Sequence, residues 1–248
     1  MEKKIQWEPF KVRFHESWHE KIKPFFETED CYNILNKLTE EAKSGKTILP
    51  GKQLIWRCFQ ETRLDDLKIL FLGLSPYFTV GIPDGLAFSC GISRKEQPSL
   101  KILLDACENN IGYKDSRNPD LKRWANQGVL LLNSSLTTLP NDARCHLELW
   151  NPFIKFLFKN VFNDKNIAIV YFGKDAQVYK EFENKDLHKS LNVNHPSYFA
   201  RNNIPMEHKN LFTWCNTIVK ENGKSEINWL EYKEKLIFEG DKEYEEFI

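Results

Sequence analysis

The stretch Leu67-Lys68-Ile69-Leu70-Phe71-Leu72-Gly73-Leu74-Ser75-Pro76-Tyr77-Phe78, continued by Gly85-Leu86-Ala87-Phe88-Ser89, decides how the rest of the chain is read. Its first half is an apolar run rich in Leu, Ile and Phe that ends at a glycine, the pattern of a buried strand. Gly73 and Pro76 end that strand, one by admitting unusual dihedrals and the other by removing a donor. A strand that runs out into a loop of small residues is where open α/β folds place their ligand. By itself the stretch favours a core strand followed by an ordinary turn.

Two further strand-then-loop units follow. One is Gly128-Val129-Leu130-Leu131-Leu132-Asn133; the other is Ile167 to Gly173, with the loop Asn194-His195-Pro196-Ser197 after a last strand at 190–193. Helical spacing of apolar residues covers 13–43, where Pro24 marks an end or kink, and then 52–62, 99–110 with Ser99 as its cap, 120–127, 147–161, 174–183 and 207–221. This alternation predicts a single α/β domain over 1–229, with a central, mainly parallel four-stranded sheet flanked by helices. Residues 230–248 follow as an acidic extension, read as an exposed helix.

The bulk composition narrows the class. The chain has 248 residues, enough for one domain with a sizeable core, and is 41% hydrophobic and 28% charged, as in a folded globular protein. No apolar run approaches the ~20 residues of a membrane span, and the N-terminus lacks the apolar core of a signal peptide. A cytoplasmic monomer is therefore expected. The six cysteines form no Cys-x-x-Cys pair, so no metal or cluster site is expected. The formal net charge is zero, so any nucleic-acid surface must arise from the distribution of charge rather than its sum.

In order and spacing the motifs resemble those of the uracil-DNA glycosylases, most of all the classical family of that superfamily. Gly85-Leu86-Ala87-Phe88-Ser89, Gly128 to Asn133 and His195-Pro196-Ser197 match that family's motifs closely. The resemblance implies a DNA glycosylase without metal or nucleotide cofactor, acting on DNA. It assigns His195 to the leaving base, where a neutral imidazole donates to the pyrimidine O2 as negative charge develops. It makes Asn133 the reader of the base edge and Phe88 the surface on which the flipped base stacks. It places Tyr77 beside C5 to exclude thymine, with Leu74 adjoining. Pro98, Ser99, Lys174 and Ser197 fall where the family grips DNA phosphates, and Phe199 falls at the intercalating residue, assisted by Tyr198 and Arg201. On its own chemistry, Asn133 suits uracil in one orientation of its amide and a cytosine derivative in the other.

The first motif departs from the family. Ser75 stands where the family has the Asp that orients water and stabilises the sugar cation, and Phe78 stands where it has His. A hydroxyl positions water but brings no negative charge. Asp84 is the nearest carboxylate in sequence and is a candidate to stand in. Three readings follow: a glycosylase for uracil, or for a modified pyrimidine such as glucosylated hydroxymethylcytosine in phage DNA; a catalytically weak DNA-binding or partner-binding protein of the same fold; and an unrelated α/β enzyme with chance motifs. Retention of both His195 and Asn133 speaks against the second, and three ordered motifs speak against the third.

Overall fold

The computed structural model describes residues 4–206 and 210–231, together with the backbone of Glu234 and Lys235. The strands are β1 (Ile69–Gly73), β2 (Tyr113–Lys114), β3 (Val129–Asn133), β4 (Ile167–Phe172), β5 (His188–Val193) and β6 (Glu234–Lys235). The helices are α1 (Glu8–Lys11), α2 (His19–Phe26), α3 (Glu29–Lys43), α4 (Arg57–Glu61), α5 (Pro98–Ile111), α6 (Lys122–Ala125), α7 (Leu147–Leu157), α8 (Lys174–Gln177), α9 (Pro196–Asn202) and α10 (Leu211–Glu221).

Four strands form one parallel sheet in the order β3-β1-β4-β5. Every residue of β1, β3 and β4 is buried, which requires cover on both faces and explains why these segments read as continuous apolar runs rather than alternating ones. Phe71 stacks on Trp229 at 5.9 Å, and Trp229 takes the edges of Trp124 and Phe212. The Trp124 indole N–H donates to the Trp229 carbonyl at 2.9 Å, tying the end of the described chain to α6. A second aromatic cluster, of Phe14, Trp56, Phe59, Trp150 and Phe153, joins α4 and α7 to the segment before α2.

Several helices are shorter than their apolar spacing predicts. Only 57–61 of 52–62 and 122–125 of 120–127 are α-helical: residues 52–56, Leu121 and 126–128 are turns. Ser99 is not the cap of α5. Gln97 holds that position and Pro98 is the first helical residue, where its missing N–H is tolerated. Pro24 lies inside α2. The acidic extension from Tyr232 onward lies outside the described residues, apart from the backbone pairing of β6 with β2. Among the described residues no helix is long and apolar enough to cross a membrane.

Trp229 is only 2% exposed, so Trp229→Ala is expected to cost about 3–5 kcal/mol. The readout is a lower urea midpoint at an unchanged denaturant slope. An unchanged midpoint would show that this cluster does not hold the sheet.

Candidate active site

Strand order determines where the site forms. The chain leaves β1 toward β3 on one side, and β4 lies on the other, so a crevice opens at the carboxyl ends of these strands. Gly73 pairs with Asn133 there. A Cβ on Gly73 would lie 2.6 Å from Asn133 Oδ1 and 3.3 Å from the Phe88 ring. Glycine is thus what allows both side chains to close over the end of β1. Ser134 donates to the Gly73 carbonyl through both its N–H and its hydroxyl, at 2.9 and 2.8 Å, which fixes the chain just beyond Asn133. Asn133 is buried, yet no described residue hydrogen-bonds its amide. The amide is open to the crevice and so keeps its hydrogen-bonding capacity for whatever enters it.

Phe88 is held in a left-handed backbone conformation, φ 67°, which costs a non-glycine residue about 1–3 kcal/mol. Its ring meets Phe172 at 4.8 Å and His195 at 5.6 Å. The Tyr77 hydroxyl donates to the Phe88 carbonyl at 2.9 Å, so Tyr77 and Phe88 are locked as a pair.

His195 caps α9. Its Nδ1 accepts the Ser197 N–H at 3.2 Å and contacts the Ser197 hydroxyl at 2.9 Å. An acceptor at Nδ1 requires the proton of the neutral ring to sit on Nε2. The sequence alone left that tautomer open. Burial pushes the His195 pKa down to about 4, aided by the Arg201 charge and opposed by Asp175. The ring is therefore neutral near pH 7 and offers an Nε2–H.

These groups line a cavity of about 470 Å³ that also receives Leu74, Ser75, Pro98, Ser99, Ser197 and Arg201. No carboxylate is among its lining residues. Ser75 is half-buried, and its hydroxyl makes one long contact, 3.4 Å to the Pro76 carbonyl. Gln97 and Ala143 also line the cavity, although sequence reasoning did not single them out. Gln97 adjoins Pro98 and could have been found from it. Ala143 arrives only because the Asn141 N–H bonds the Phe78 carbonyl at 3.1 Å, and no local signal marks it. Among the described residues no group of three or more His, Cys, Asp or Glu is placed to hold a metal ion.

Two expectations are corrected here. Asp84 does not reach the cavity: its side chain is completely buried, with Arg57 Nη1 at 2.9 Å, Ser89 Oγ at 2.6 Å, the Gly91 N–H at 2.8 Å and the Leu86 N–H at 3.1 Å. A carboxylate so fully engaged cannot serve a sugar in the crevice. Phe199 is also fully buried, packed into the core from α9, whereas its neighbour Tyr198 is 44% exposed. One helical residue apart, the two side chains point about 100° away from each other, so of the two it is Tyr198 that faces out. Lys174 and Tyr198 lie outside the cavity lining. Gly173, the residue before Lys174, is the one that packs against His195: a Cβ there would sit 3.1 Å from His195 Cβ.

The comparisons with known proteins bear on the family and the fold. The model of the uracil DNA glycosylase superfamily matches residues 59–216. A uracil-DNA glycosylase of Streptococcus pyogenes serotype M49 is 33% identical over 219 residues, covering 87% of this chain and 99% of the relative. That of serotype M28 is 34% identical over 220 residues, covering 88% and 99%. Among solved structures, mimivirus uracil-DNA glycosylase superposes with a TM-score of 0.79 at 21% identity, over 91% of this chain and 93% of the other. The enzyme from Nitratifractor salsuginis gives 0.58 at 17% identity, over 80% and 96%. With the crevice, the neutral His195 and the waiting amide of Asn133 in place, these matches mean that the chain belongs to the uracil-DNA glycosylase superfamily and is a DNA glycosylase, a hydrolase of N-glycosyl bonds.

Proposed function

We propose that the protein releases uracil from DNA, leaving an abasic site. The observation that carries this reading is that the amide of Asn133, free of protein hydrogen bonds, lines the same cavity as His195, whose Nδ1 is engaged so that its Nε2 carries the proton. A uracil edge meets that amide with O4 accepting its N–H and N3–H donating to its oxygen. Reaching the site requires extrusion of the nucleotide from the duplex. Phe88 stacks on the extruded base. Tyr77, tethered to the Phe88 carbonyl, fills the space beside C5 and disfavours a substituent there. A cytosine derivative with the amide reversed, including a bulky phage pyrimidine, is the alternative this tether opposes.

In the reaction the C1′–N1 bond breaks and its electron pair leaves with the base. Negative charge gathers on O2, where the Nε2–H of His195 is already aimed. The sugar becomes cationic. A water ordered by the Ser75 hydroxyl then adds at C1′ and loses its proton to solvent. The cavity lining supplies no counter-charge to the sugar, so transition-state stabilisation rests on the leaving base. Ser99 in the first turn of α5, with Pro98, Ser197, Arg201 and Lys174, supplies contacts to phosphate. Tyr198 supplies the wedge that holds the vacated stack.

His195→Ala and Asn133→Ala are each expected to slow uracil release by about 100-fold or more without altering the fold, measured by single-turnover assay and circular dichroism. Unchanged release by both would reject the assignment. Release requires neutral His195, so the rate should hold as pH falls from 8 to 6 and drop as pH falls through about 4; a drop centred near the ordinary histidine value would show that burial does not depress this group. Tyr198→Ala should weaken release from duplex DNA while sparing single strands. If the loss followed Phe199 alone, with no unfolding, the wedge would have to be reassigned.

A further inference from the structure

Asp84 has a different job from the one its sequence position suggests. The turn from Gly85 to Gly91 is wound around its carboxylate. Oδ1 accepts the Leu86 N–H at 3.1 Å, and Oδ2 accepts the Ser89 hydroxyl at 2.6 Å and the Gly91 N–H at 2.8 Å. These donors lie on both sides of Phe88, the one residue of the turn that must adopt a left-handed backbone with a large side chain. Ser89 Oγ also receives the Leu121 N–H at 3.1 Å, and the Cys90 N–H donates to the Pro119 carbonyl at 3.0 Å, so the far side of the turn is anchored as well.

The carboxylate is in turn fixed from α4. Arg57 Nη1 lies 2.9 Å from Asp84 Oδ2 and donates to the Asp84 carbonyl at 3.3 Å, while Nη2 forms a two-oxygen contact with Asp120 at 2.9 Å to each. Glu61 adds a third acid at 3.4 Å from Nε. Arg57 is thus a rigid fork spanning two carboxylates, a geometry lysine cannot reproduce.

The geometry points to Asp84 as a positioning residue. Held by Arg57, its carboxylate sets the left-handed turn that presents the Phe88 ring to the base, and it takes no part in water activation or charge stabilisation at the sugar. The proposal rests on the glycosylase reading of the cavity. It replaces a carboxylate that acts at the sugar with one that acts through the backbone, some residues away, on the stacking surface. The Tyr77 hydroxyl bonds the Phe88 carbonyl, so the same turn also fixes the residue beside C5.

A double-mutant cycle tests it. Asp84→Asn keeps the shape but loses the ion pair and one acceptor. It is expected to lower kcat/KM for uracil-containing DNA by about 10-fold in the Phe88 background and by less than about twofold in the Phe88→Ala background. A carboxylate acting at the sugar, or one needed only for overall folding, would cost the same in both backgrounds, and that equality would overturn the proposal. If Asp84→Asn does not fold, Ser89→Ala, which removes one donor from the turn, enters the cycle in its place with the same two outcomes. The cycle is read in parallel on Kd for a uracil-containing oligonucleotide. Absence of base release by the unaltered protein would reject the glycosylase reading alone, leaving the Asp84–Phe88 coupling to be decided by Kd.

Discussion

The pairing of β1 on both edges is the constraint on which the rest of the molecule depends. β1 hydrogen-bonds β3 through all five of its residues and β4 through four. That leaves no edge to water and no freedom of register. A slip of one residue would turn Phe71 away from Trp229 and carry Gly73 out from beneath Asn133 and Phe88. Core packing and site geometry are therefore fixed by the same ladder. The site is precise because its parts are the ends of strands or loops sewn to those ends.

The groups proposed to meet the base differ in how they are held. Asn133 is placed by the sheet, His195 by capping a helix, and Phe88 by a turn whose donors converge on a buried carboxylate. Each support is a buried polar arrangement, and each has its partners within hydrogen-bond distance. The exception is the Asn133 amide, which no described residue hydrogen-bonds and which lines the cavity. A firmly held frame around an amide that keeps its hydrogen-bonding capacity free is what a recognition site requires.

Much of this was legible in the sequence. The apolar runs that become β1, β3 and β4 declare buried strands, and the Gly-Leu-Ala-Phe-Ser and His-Pro-Ser stretches place Phe88 and His195 beside one another. Side-chain direction was less legible. Phe199 sits at the family's intercalating position, but in α9 it faces the core and Tyr198 faces out, a rotation that only the packed helix decides. Asp84 looked like a spare acid because the Arg57 that neutralises it lies 27 positions away in sequence, and because the backbone and hydroxyl donors of Leu86, Ser89 and Gly91 converge on it only once the turn is folded. The protonated nitrogen of His195 depended on the Ser197 backbone N–H, which no residue-type pattern encodes.

The absence of acids from the cavity lining has a consequence for selectivity. Where the sugar cation has its own counter-charge, the barrier responds both to the stability of that cation and to the stability of the departing base. With no carboxylate in that lining, the proposed reaction has the rate follow the acidity of the leaving group more steeply. Bases whose anions are intrinsically stable gain most from a single well-aimed N–H, and poor leaving groups gain least. In the proposed reaction, discrimination is thereby shared between the shape of the cavity and the electronic character of the base itself.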